Sequence, residues 1–123
     1  EVLQYARARL SHASRLGDFA PAIDTVVLQI NDDQRFQASA MRGRTFGFGG
    51  KLCIHPNQVP LTNTLFTPAA DDIAHAQAVV AAFEAAEAVG SASIQLDGYF
   101  IDYPIVYKSQ RILALAEALN QSH

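Results

Sequence analysis

Four side chains stand where chemistry could use them: Lys51, Cys53, His55 and Asp102. Lys51 ends the glycine-rich run Gly47-Phe48-Gly49-Gly50, which invites comparison with a phosphate-binding loop. The comparison fails, because Thr45 stands where the first glycine is needed and Leu52 stands where Ser or Thr would hold a cation. The run also leads from a helix into a strand, opposite to the order of a dinucleotide fingerprint. A helix cap followed by a tight turn accounts for it better. His55 follows the apolar run Leu52-Cys53-Ile54 and precedes Pro56-Asn57-Gln58. At the C-terminal end of a parallel strand, such a histidine either binds a ligand or braces its loop. No second histidine or carboxylate lies at metal-ligand spacing from it. Cys53 between Leu52 and Ile54 reads as a small buried hydrophobe, with no base at hand to activate it. Asp102 lies between an Asp-Gly turn and Pro104. It reads either as a carboxylate stabilising a helix start or as an acid or base on a rigid corner.

The elements that must position these groups are legible as alternating helices and strands. Val2 to Leu16 has a helical period, with Val2, Ala6, Leu10 and Ala13 inward and Arg7, Arg9 and Arg15 toward solvent; Gly17 ends it. Thr25 to Ile30 is apolar without alternation, as in a strand covered on both faces, and Asp24 stands at its N-terminal end. Asn31-Asp32-Asp33 offers caps for a helix from Gln34 to Phe46, with Phe36, Ala40 and Met41 inward. Lys51 to His55 is a second strand. Thr67-Pro68 is read as the cap and first residue of a helix running to about Ala88, with Ile73, Ala76, Val80 and Phe83 inward. Asp97-Gly98 joins two short apolar runs into a hairpin from Ser93 to Asp102. Pro104 starts a last helix to about Leu119, with Ile105, Ile112, Leu115 and Leu119 on one face.

The chain has 123 residues, half of them apolar and 17% charged, with a net charge of −3. A core is therefore affordable, and a dedicated nucleic-acid binder, which carries a basic stripe, is not expected. One cysteine excludes an internal disulfide and a cysteine-rich zinc site. No apolar run approaches the roughly 20 residues needed to span a bilayer. A cytoplasmic protein with no nucleic-acid or membrane partner is expected. Two parallel strands do not close a sheet, and a (β/α)₈ barrel needs about 250 residues. The sequence opens at Glu1 without a start methionine, as the tail of such a barrel would.

Three stretches together carry a resemblance. Gly49-Gly50-Lys51-Leu52-Cys53-Ile54-His55-Pro56-Asn57-Gln58-Val59 resembles the G-K-x-x-I-H-P-x-Q segment of the citrate lyase β-subunit family, which includes malyl-CoA and citramalyl-CoA lyases in the HpcH/HpaI aldolase group. Phe66-Thr67-Pro68 and the alanine-rich stretch after it match that family's next element. Leu96 to Pro104 is similar to its D-G-x-x-[IV]-D-x-P corner. Gln29 and the aromatic Tyr99, Phe100 and Tyr103 depart from the usual pattern.

The resemblance implies an α/β chain forming the C-terminal portion of a TIM (β/α)₈ barrel over residues 1–92. A β-hairpin and terminal helix over 93–123 would serve as a lid or oligomer segment. It implies a magnesium-dependent carbon–carbon lyase that cleaves a 3-hydroxyacyl-CoA, of malyl, citramalyl or citryl type, to acetyl-CoA and a keto acid. Asp102 matches the family's catalytic Asp, and Cys53, Ile54, His55 and Pro56 match a stretch lining the acyl-CoA site. The magnesium ligands are expected upstream, with none in this chain. A homo-oligomer, a trimer, is expected. The competing expectation is a non-catalytic CoA-binding or oligomerisation module derived from the same barrel.

Overall fold

The computed structural model describes residues 2–91 and 94–121 and is a mixed α/β structure dominated by helix. It divides into two compact units between Thr67 and Pro68.

The first unit begins with α1, Val2–Leu16, which has the predicted bounds but a different inner face. Arg7 is its one buried residue, while Val2 and Leu10 are exposed. The face was read from apolar period alone. A charged residue turns inward here because a partner lies at the end of the next strand. That strand, β1, is only Ile23–Asp24, and it pairs in parallel with β2, Gly50–Lys51. The backbone bonds Gly49 N to Ala22 O at 2.9 Å and Leu52 N to Asp24 O at 3.0 Å extend the pairing by one step on each side. The strand predicted over Thr25–Ile30 is thus displaced toward the N-terminus and cut short. A ladder exists only where a neighbour supplies it. After Asp24 no neighbour does so among the described residues, and of Val26 to Ile30 only Val27 is buried. The strand predicted over Lys51–His55 shortens for the same reason.

Between the two strands runs α2, Asp33–Thr45. Asp32 caps it as predicted, its Oδ1 accepting from Arg35 N at 2.9 Å. Asp32→Ala should cost about 1 kcal/mol in a urea or thermal melt, and Asp32→Asn, an equally good cap, should cost little. Phe36 and Ala40 are fully buried, whereas Met41 faces out. Gly47, at φ +88°, turns the chain away after the helix, so the glycine-rich run is indeed a helix terminus. The core of this unit gathers Val27, Phe36 and Ala40, with Cys53, Leu61, Leu65 and Phe66 against them.

The last three of those residues lie on α3, Gln58–Phe66, a helix that the sequence reading did not anticipate. Pro60 sits in its first turn, where an amide hydrogen is not needed. Thr67 ends this helix instead of starting the next: its hydroxyl donates to Asn63 O at 2.6 Å.

The second unit contains α4, Ala70–Ala88, followed by the hairpin β3, Ile94–Leu96, and β4, Tyr99–Ile101, and by α5, Tyr103–Gln121. Because Thr67 closes α3, α4 starts later than predicted, with Asp71 and Asp72 in its first turn. Gly90, at φ +69°, follows its end. Ala76 and Val79 are its buried residues, and Ile73, Val80 and Phe83 are half-buried. The hairpin is as predicted. Asp97 (φ +50°) and Gly98 (φ +80°) are both left-handed, the backbone that a two-residue turn between right-twisted strands requires. Ser93 lies outside the described residues. Antiparallel register sets Ile94 opposite Ile101, and both side chains are buried with Val79 and Val106. On α5 the buried positions are Val106 and Ser109, with Ile105 and Ile112 half-buried; Leu115 and Leu119, predicted inward, are largely exposed. The ring of Phe83 meets that of Tyr103 edge-on at 5.3 Å. Packing thus groups α4 with the hairpin and α5.

Candidate functional site

The parallel pair of β1 and β2 places Asp24 and Lys51 side by side. Both are buried, at 3% and 6% exposure, and so is Arg7 at 8%. Arg7 Nε donates to Asp24 Oδ1 at 3.0 Å, and Lys51 Nζ donates to Asp24 Oδ2 at 3.2 Å. The lysine's other hydrogens reach Thr25 O at 2.8 Å and Ser39 Oγ at 3.0 Å, so all three donors are used. Its ammonium also stands 5.7 Å from the centre of the Phe36 ring. Gly43 is required beside this group, because a Cβ there would come within 2.8 Å of Asp24 Oδ2. Burial on its own would raise the Asp24 pKa. Hydrogen bonds from Arg7, the Thr25 backbone and Lys51, with the lysine charge, outweigh burial and hold the carboxyl below its ordinary value.

This triad was missed by periodicity, yet a signal existed. Asp24 and Lys51 each open an otherwise apolar run, with opposite charges, and such residues pair across neighbouring strands.

Immediately after β2 the chain makes the turn that holds four of the predicted site residues. Cys53 is half-buried, its Sγ 3.2 Å from Thr62 Oγ1. Ile54 is exposed, and its backbone N–H donates to Gln58 Oε1 at 2.9 Å. His55 is half-buried, with Nδ1 accepting from Asn57 N at 3.3 Å, and Pro56 is exposed. Gln58, matched within the family segment but given no role by the sequence reading, is the hinge of the turn. It is 2% exposed, and its Nε2 donates to Val27 O at 3.1 Å. One amide therefore ties the segment after β2 to the segment after β1. The structure brings Cys53, Ile54, His55 and Pro56 together as one braced turn.

Asp102 belongs to the second unit. It is exposed at the junction of β4 and α5, and its Oδ1 accepts from Ile105 N at 3.2 Å, the geometry of a helix cap. Among the described residues, no three His, Cys, Asp or Glu side chains are grouped so as to hold a metal ion. No helix among them is long and apolar enough to cross a membrane.

Comparison with known proteins gives this geometry a context. The family signature described as HpcH/HpaI aldolase/citrate lyase matches residues 1–56. Citrate lyase subunit beta of Leuconostoc mesenteroides is 38% identical over 96% of this chain. The chain belongs to the HpcH/HpaI aldolase/citrate lyase family. Another family member, the L-malyl-CoA/beta-methylmalyl-CoA lyase of Cereibacter sphaeroides, is 34% identical over 94% of the chain. The chain spans 39% and 36% of the lengths of these two relatives. Among solved structures of the family, protein CitE from Mycobacterium tuberculosis, in complex with magnesium, acetoacetate and coenzyme A, superposes with a TM-score of 0.76 at 26% identity. That match covers 95% of this chain and 42% of the other.

Proposed function

We propose that this chain is the C-terminal part of an acyl-CoA carbon–carbon lyase, residues 1–92 contributing βα units of a TIM barrel and 93–123 a hairpin and terminal helix that serve as a lid or oligomer segment. The observation that carries the reading is the turn Cys53-Ile54-His55-Pro56, held by Gln58 at the C-terminal end of a parallel strand. That is where open and closed parallel sheets place their ligands. Similarity to citrate lyase and malyl-CoA lyase along nearly the whole chain supports it.

In this reading the turn lines the acyl-CoA site with backbone and short side chains. Gln58 keeps the turn rigid, so the thioester is held in one pose. Asp102 carries the proton step. Cleavage breaks the bond between the carbinol carbon and the thioester's α-carbon; the hydroxyl's proton passes to the Asp102 carboxylate, a keto acid departs, and the bonding pair stays on the acetyl-CoA enolate. A carboxyl group at Asp102 then delivers a proton to that carbon, and in condensation the carboxylate removes it. We place the magnesium ligands upstream of this stretch of chain. The protein acts in the cytoplasm as a homo-oligomer, a trimer.

The test is direct. Malyl-, citramalyl- and citryl-CoA are incubated separately with the intact protein, and acetyl-CoA and the matching keto acid are measured. One of the three is expected to release both products in equal amounts. Binding of CoA without release from any of them would instead favour the non-catalytic CoA-binding module.

A further inference from the structure

A cleft of about 520 Å³ opens in the first unit between α1, the segment after β1 and α2. Its size is that of a small-molecule site. Its apolar wall includes Leu3, Val26 and Leu28, and its polar wall sets three arginines beside the neutral Thr25, Gln29 and Ser39. Arg35 and Arg42 are exposed on one face of α2, and neither side chain has a hydrogen-bond or ion-pair partner among the described residues. Arg7 lines the cleft too, and the Arg7–Asp24–Lys51 group behind it holds two positive charges against one negative. No carboxylate lines the space. The nearest acidic cap, Asp32, has its Oδ1 engaged by the Arg35 backbone.

Two solvent-facing guanidinium groups without a protein partner, over a cationic floor and beside an apolar wall, leave their donors free for an anion. Guanidinium recognises carboxylate and phosphate through paired, charge-assisted hydrogen bonds. Arg35 and Arg42 stand two helical turns apart, about 10 Å along the axis, so one ligand engaging both has two acidic ends. We infer that this cleft binds an elongated dianion, a diphosphate or a dicarboxylate, between Arg35 and Arg42.

The site is independent of the acyl-CoA reading, and the probes contain no CoA, so the failure of one leaves the other standing. The full chain is titrated with pyrophosphate and, separately, with glutarate, by calorimetry at low salt. Saturable binding of at least one is expected, and the probe preferred identifies the head group. Arg35→Gln with Arg42→Gln should weaken that binding at least tenfold. Ala38→Trp, which keeps both charges and fills the cleft, should abolish it. Arg111→Gln, an exposed arginine on α5, should leave it unchanged. Circular dichroism of each variant confirms the fold. The inference is overturned if neither probe saturates, if the double variant or the filled cleft binds like the parent, or if Arg111→Gln weakens binding as much as the double variant.

Discussion

Asp102→Asn in the intact protein is expected to lower acyl-CoA cleavage at least tenfold while leaving the melting temperature nearly unchanged. The separation follows from what each atom does. The cap needs an oxygen for the Ile105 N–H, and Asn supplies one as well as Asp does. Proton transfer needs an ionisable group, which Asn is not. Positioned acid–base catalysis contributes roughly 10²–10⁴-fold, so the loss should far exceed any effect on stability. A second readout isolates the proton step. In heavy water the parent should exchange deuterium into the methyl group of acetyl-CoA, and the Asn variant should not. Asp102→Ala should add a loss of about 1 kcal/mol in stability, since the cap goes as well. If Asn preserves turnover and exchange while only Ala perturbs the melt, Asp102 is a helix cap and nothing more.

The largest effect on stability is expected at Asp24. Asp24→Asn removes the negative charge from between Arg7 and Lys51 and leaves two buried cations facing each other. Removing one partner of a buried ion pair costs about 3–5 kcal/mol, because the remaining charge is uncompensated. Urea unfolding at neutral pH should show the loss as a lower midpoint. The same residue sets an acid limit. Its folded-state pKa lies below that of the unfolded chain, so the group stabilises the fold above the unfolded value of about 3.9. That contribution is lost as pH falls through the folded value. The parent should therefore lose stability as pH drops below about 4, and Asp24→Asn should show a shallower decline. Replacing Lys51 by Met in the Asp24→Asn background should recover part of the loss, since the two positions share one interaction. Equal slopes for parent and variant between pH 5 and pH 3 would show that Asp24 does not govern acid sensitivity.

The hairpin and the cap of α2 were legible because their causes are local. Asp97-Gly98 needs nothing beyond its own backbone preference and the runs that flank it. Asp32 meets its donor only three residues on. Arg7 was misread because its partner lies seventeen residues away, and a periodic count of apolar residues cannot register a charge neutralised by the next strand. The Thr25–Ile30 run has the composition of a strand, but composition does not supply a hydrogen-bonding neighbour. The helix of Gln58–Phe66 was hidden by Pro60 and by Thr62-Asn63-Thr64, which have little intrinsic preference for it; packing of the half-buried Leu61 and Leu65 against the Val27, Phe36 and Ala40 core overrides that preference. Among the candidate residues, His55 and Asp102 stood out by residue type and by their neighbours. Gln58 did not, because its importance rests on the contact with Val27.

The two ladders among the described residues also set different clocks. The Asp97-Gly98 hairpin can zip up from its own turn in about 1–10 μs, drawing on neighbours in sequence. The Ile23–Gly50 pairing cannot start until the whole of α2 has been folded back, so the entropy of closing that loop precedes any gain from it. Where the salt-bridged triad forms only after this closure, its interactions act mainly as a brake on unfolding and do little to hasten assembly.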